Sequence, residues 1–99
     1  MNFQKYCDQY NDNSISKNAY HYCKNINDKR NVRILITESQ YAYKYCLNLI
    51  DKKSVRVHII ESVYAYLYCR YIEDRVKIRE KITHKKHIKK LDAYLNGED

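Results

Sequence analysis

The sequence predicts an all-α protein, a small right-handed-type αα solenoid of three 23-residue helix-pair repeats with a capping helix at each end. Three observations predict it. Tyr-Ala-Tyr-x-Tyr-Cys occurs at 41–46 and 64–69, and a partial copy ends at Cys23, so Cys23, Cys46 and Cys69 follow one another at intervals of 23 residues. One Gly and no Pro among 99 residues under-supply the tight turns a sheet needs. Within each copy the apolar residues recur at i, i+3, i+4 and i+7, the period of one helix face.

Laid over one another, residues 16–38, 39–61 and 62–84 align along their whole length. Ser16, Ser39 and Ser62 open the units at the place where an N-cap hydroxyl accepts an orphan backbone N–H. The first helix of each unit then carries an inward stripe: Ala19, Tyr22, Cys23 and Ile26, then Ala42, Tyr45, Cys46 and Leu49, then Ala65, Tyr68, Cys69 and Ile72. Small Ala and Cys let neighbouring helices approach, and the Tyr ring fills the volume beside them. A polar break follows at Asp28-Lys29-Arg30-Asn31, Asp51-Lys52-Lys53-Ser54 and Asp74-Arg75. The second helix is short, with Val32/Ile36, Val55/Ile59 and Ile78/Ile82 facing inward. These β-branched runs also suit strands, but the four-residue spacing favours helix.

The single domain therefore divides into a cap at 1–13, the three repeats, and a C-terminal cap at 85–99. Phe3, Tyr6, Cys7 and Tyr10 repeat the helical stripe at the first end. Ile82, Ile88, Leu91 and Leu95 line the last one, with a polar outer side where nothing further stacks.

No run approaches the roughly 18 apolar residues of a membrane span, and the polar start MNFQKYCDQYNDN lacks a signal-peptide core. A soluble, cytoplasmic protein that binds no membrane is the expectation. The cysteines are expected to be small buried thiols. Packed helices lie about 8–10 Å apart, beyond the roughly 7 Å Cα separation a disulfide tolerates, and no CxxC pair supports zinc.

The formal net charge of +7 is concentrated. Residues 75–90 hold eight Lys/Arg against one Glu, which alone accounts for +7, while 1–74 and 91–99 offset each other. Such a basic end points to an anionic partner.

A serine-led Tyr-Ala-Tyr-x-Tyr helix, a short basic turn and a second short helix resemble, over residues 16–84, the small αα solenoid repeats of phage and mobile-element proteins. Those repeats carry Gly-Arg and an aromatic in the turn and have longer units, whereas this chain has Asp51-Lys52-Lys53 and no Gly there. The resemblance implies the stacked fold and carries no single activity.

Stacking turns repeated positions into surface ladders. Arg33, Arg56 and Arg79 share one site. Lys29/Arg30, Lys52/Lys53 and Arg75 precede them in the turns, and Lys85, Lys86, Lys89 and Lys90 continue the basic run. A cationic row suits a phosphate backbone or an acidic protein groove. The arginines alternatively pair with Asp28, Asp51 and Asp74 or with Glu38 and Glu61, tying repeats together for about 0–1 kcal/mol each. Tyr20, Tyr43 and Tyr66 form a second ladder, either a stacking platform for unpaired bases or the wet edge of the core.

Catalytic signals are sparse. His84 and His87 stand at i, i+3 without a supporting carboxylate or Cys. His21 and His58 fall at non-equivalent repeat positions and are read as surface or boundary residues. No Gly-rich phosphate loop or nucleophile–base pairing occurs, so no enzyme, metal or cofactor is expected. The expected function is a non-enzymatic binding protein whose basic, Tyr-rich face engages nucleic acid or a nucleoprotein complex. The phage-like resemblance extends this to an inhibitor of a host defence system such as a CRISPR effector. The alternative is a protein–protein adaptor or self-associating repeat module that binds an acidic protein surface.

Overall fold

The computed structural model describes residues 1–10, 13–49, 53–72 and 76–97. Among them the chain is all-α. Helices α1 (Phe3–Tyr10), α2 (Ile15–Asn25), α4 (Ser39–Asn48), α5 (Ser62–Tyr71) and α7 (Lys85–Leu95) are the longer elements. Between them lie two four-residue helices, α3 (Arg30–Arg33) and α6 (Val76–Arg79), and a 3₁₀ turn at Arg56–His58. The longer helices pack in chain order, α1 on α2, α2 on α4, α4 on α5 and α5 on α7, and the short elements lie against α2, α4 and α5. The resulting body measures 47 × 23 × 20 Å.

The sequence stripe is the core. Ala19, Ala42 and Ala65 are 0% exposed, and Tyr22, Tyr45, Tyr68 and the three cysteines beside them are all buried. Each ring removes on the order of 150–250 Å² from water, so the tyrosines dominate the packing of a chain with one Phe and no Trp. Val32, Ile36, Val55, Ile59, Ile78 and Ile82 close the core from the second side. Their β-branched side chains restrict χ1 in a helix, and the helical segments around them last only three or four residues. The VRILIT run becomes a helical turn rather than a strand, with Leu35 N–H donating to Val32 at 3.0 Å and Ile36 N–H to Arg33 at 3.0 Å.

The serines correct the sequence reading. Ser16, Ser39 and Ser62 do not cap their own helices. The cap of α2 is Ser14, which accepts Lys17 N–H at 3.2 Å. Glu38 and Glu61 stand at the caps of α4 and α5 without a side-chain cap bond. Each repeat serine instead lies in the first turn and reaches across to the returning chain. Ser16 Oγ accepts Thr37 and Glu38 N–H at 2.9 and 3.0 Å, and Ser39 Oγ accepts Ile60 and Glu61 N–H at 3.0 and 3.1 Å. Ser62 Oγ accepts Thr83 and His84 N–H, both at 3.1 Å. The N-cap amide of α4, α5 and α7, and the amide before it, are therefore held by the serine 21 or 22 residues earlier.

Four expected core residues lie outside it, the first being Tyr10 at the end of α1, which is 53% exposed. Ile26 follows the last residue of α2 and is exposed, whereas its equivalents Leu49 and Ile72 pack on the core. Ile88 and Leu95 of α7 are also exposed. Ile88 takes the position of Ala19, Ala42 and Ala65 yet is 42% exposed, because no further helix stacks on α7 among the described residues.

Candidate nucleic-acid interface

The arginine ladder begins with a tie inside the protein. Arg33 Nε meets Asp28 Oδ1 at 3.0 Å, and its guanidinium also donates to the Asp28 carbonyl at 3.1 Å. Asp28 then accepts Tyr45 O–H from the next unit, 2.8 Å from each carboxylate oxygen. Burial first, and then the bond to this carboxylate, hold the Tyr45 phenol above its ordinary range. Cys23 shares the cluster, and burial followed by the Asp28 charge pushes its thiol up to about 12. Arg33 thus follows the intramolecular alternative. Arg56 is half-buried and Arg79 exposed, and both make interactions of their own. Asp51, Lys52, Asp74 and Arg75 lie outside the described residues.

The middle tyrosines turn inward. Tyr20 and Tyr66 are 3% and 6% exposed, and Tyr43 is half-buried. Their rings pack on the ring that opens the next copy, Tyr20 with Tyr41 at 6.2 Å, Tyr43 with Tyr64 at 6.0 Å and Tyr66 with His87 at 5.7 Å. The hydroxyls are used too, since Tyr20 accepts from Asn48 Nδ2 at 2.9 Å and Tyr66 from Arg70 at 2.6 Å. Tyr20 and Tyr66 are thus core residues with protein-bonded hydroxyls rather than a wet edge or an open stacking platform, and little of their ring face is left for a base. Lys24 and Lys44 lie over the Tyr20 and Tyr41 rings, their ammonium groups 5.8 and 5.2 Å from the centroids.

The turns and the last helix carry most of the exposed cations among the described residues. Lys29, Arg30 and Lys53 are exposed, and Lys29 and Arg30 with Asn31 and Ile34 line a shallow open depression of about 550 Å³. Lys85, Lys86, Lys89 and Lys90 all project to solvent from α7, and Lys77 and Lys81 are exposed just before it. Spaced at i, i+1, i+4 and i+5, the four α7 lysines occupy one side of the helix. Among the described residues no carboxylate pairs with them at salt-bridge distance. Sequence reasoning passed over Lys77 and Lys81, although the charge density of 75–90 contains both.

The two histidines near α7 use Nδ1 within the protein. His84 Nδ1 accepts Lys86 N–H at 3.2 Å, and His87 Nδ1 lies 2.9 Å from Ser62 Oγ. Among the described residues no three His, Cys, Asp or Glu side chains cluster closely enough to hold a metal, and no helix is long and apolar enough to cross a membrane. His21 and His58 are both half-buried at the boundary.

Fold and surface together define a class, an all-α protein of 23-residue helical units with a group of exposed lysines on its last described helix. No protein-family model, curated protein or solved structure matches this chain.

Proposed function

We propose that the protein is a non-enzymatic nucleic-acid-binding protein, and that the lysine face of α7 with the turn before it is the contact surface. The observation that carries the reading is the exposed set Lys85, Lys86, Lys89 and Lys90, backed by Lys77 and Lys81, within a segment of eight Lys/Arg against one Glu. Such a face engages phosphates irrespective of base sequence and releases counterions on binding. The buried tyrosines leave electrostatics as the main source of affinity, so binding is steeply salt-dependent. A nucleoprotein assembly offers the same phosphate chemistry, and a host defence complex of the CRISPR-effector kind is the assembly the phage-like repeat suggests.

Fluorescence anisotropy with labelled single-stranded and duplex oligonucleotides across a salt series tests the proposal. The expected slope of log K against log salt is negative, and it shrinks by about one for each lysine replaced by Ala. Preparations that carry no nucleic acid, together with no binding at low salt, would sink it. A second reading has its own observation. Ile88, Tyr94 and Leu95 are exposed on the same helix as the lysines, a mixture that suits an acidic amphipathic protein surface. Co-elution with a candidate partner that survives nuclease treatment supports that reading instead.

A further inference from the structure

His87 occupies a place defined by the repeat, 23 residues after Tyr64 as Tyr64 is after Tyr41. Tyr41 and Tyr64 each pack on the middle tyrosine of the preceding helix with planes tilted by 35°. His87 does the same on Tyr66, but nearly parallel, at 12°. It also places Nδ1 2.9 Å from Ser62 Oγ, a contact that the serines of the two earlier units make with other groups. Ser39 directs its hydroxyl to the His58 carbonyl at 3.1 Å, and Ser16 lies 3.4 Å from the Leu35 carbonyl.

The hydrogen-bonding capacity of Ser62 fixes where the imidazole proton sits. A serine hydroxyl has one proton to donate and two lone pairs to accept with. Both lone pairs are taken by the N–H groups of Thr83 and His84. The remaining proton points to His87 Nδ1, so the neutral ring carries its own proton on Nε2. A second proton, on Nδ1, would face an oxygen with no lone pair left. The charged groups around the ring also oppose it. His84, Lys86 and Lys90 from the turn and from α7 are all cationic or able to become so, whereas α5 presents the uncharged Ser62 and Tyr66, the latter accepting from Arg70. Burial first, then these neighbours, keep the imidazole below its ordinary value of 6.5.

We propose that His87 is a proton-sensitive latch, seating α7 on α5 when neutral and loosening that seat when protonated, and that an anion on the lysine face promotes its protonation. The first half stands on the Ser62 geometry alone, and the second rests on the phosphate-binding reading of α7. Phosphates that neutralise Lys86 and Lys90 remove part of what opposes the second proton, so binding takes up protons. The direction follows from linkage: with the folded value below the unfolded one, the latch contributes fully above about 6.5 and is lost as pH falls below that and through the lower folded value.

The test begins with the full chain free of nucleic acid. Nitrogen-15 NMR reports the His87 tautomer, and native-state hydrogen exchange follows the Thr83 and His84 amides from about pH 8 to about pH 5, corrected for intrinsic rates. The Nε2–H tautomer is expected at the upper end, with protection of both amides falling about tenfold as the ring titrates. His87→Tyr, which restores the residue of the two earlier units, should abolish that step while keeping the ring stack. An Nδ1–H tautomer, or an equal step in His87→Tyr, overturns the latch. Calorimetric titration with a poly(dT) oligonucleotide in two buffers of different ionisation enthalpy then measures proton uptake. Uptake by the native chain that His87→Tyr lacks supports the coupling. Binding without uptake overturns the coupling alone, and no binding overturns the coupling together with the nucleic-acid reading.

Discussion

The hydroxyl of Ser39 accepts the backbone N–H of Glu61 at 3.1 Å, across 22 residues of chain, and a second N–H from Ile60 at 3.0 Å. With its own proton on the His58 carbonyl, one buried side chain satisfies three backbone groups where the chain returns to start the next helix. Ser16 and Ser62 make the corresponding pair of contacts in their own units.

Ser39→Ala should therefore behave as a core mutation. It leaves two donors and an acceptor to find water in a packed site, at a cost of about 2–3 kcal/mol. Urea denaturation monitored by far-ultraviolet circular dichroism measures this, and a loss below about 0.5 kcal/mol would show that the contact does not hold the repeats in register.

Tyr45 and Tyr22 occupy the same position but have different partners. Tyr45 donates to the Asp28 carboxylate, whereas Tyr22 donates to the Met1 carbonyl at 3.0 Å. Tyr45→Phe should cost about 1–3 kcal/mol, as expected for a bond to a charged acceptor, and Tyr22→Phe about half as much. Equal losses in the two variants would contradict the asymmetry.

The same cluster makes the fold sensitive to alkali. Cys23 is raised from 9.0 to about 12 and Tyr45 is raised above 10.0, so at high pH the unfolded chain has lost protons that the folded chain keeps. A raised folded value means stability fully present below the unfolded value and lost as pH rises through the folded one. The denaturation midpoint should fall from about pH 9 upward, and less steeply in Tyr45→Phe. A midpoint that stays flat to about pH 11 would rule this out.

Thiol chemistry should single out one cysteine. None of the four is in a disulfide, and Cys23, Cys46 and Cys69 are buried whereas Cys7 is half-buried. Burial and then Asp8 raise Cys7 as well, so even this thiol should react slowly. Titration of the native protein with an aromatic disulfide should show one accessible thiol and three that react on unfolding. Cys7→Ser should remove the accessible phase, and persistence of that phase would contradict the burial pattern.

Arginine and lysine substitutions should separate stability from binding. Arg33→Ala removes a partly screened ion pair and should cost about 1 kcal/mol while leaving oligonucleotide affinity nearly unchanged. Lys86→Ala/Lys90→Ala should do the reverse, lowering the salt slope by about two with little change in the melting temperature. If Arg33→Ala weakens binding as much as the lysine pair does, the contact surface is misplaced.

Much of this was legible in the residues. Ala42, Tyr45 and Cys46 recur because the space between helices recurs, and helical periodicity alone assigns them to the core. The repeat serine was visible as a fixed position, but its role was not. A hydroxyl at a helix start fits a local cap, and only three-dimensional proximity shows that its partners lie 21 and 22 residues on. His87 could have been found by extending the 23-residue register one unit beyond Tyr64.

The sequence by itself determined the all-α class, the 23-residue period and the repeated Ala, Tyr and Cys at the centre of the core, because periodicity and side-chain volume are local properties. Tertiary structure decided the rest. It decided that Arg33 meets Asp28 rather than solvent, that Tyr20 and Tyr66 face inward, and that Ile88 is open where three alanines are covered. Those outcomes depend on which neighbour lies within a few ångströms, and a repeat records the position of a side chain without recording what the next unit places against it.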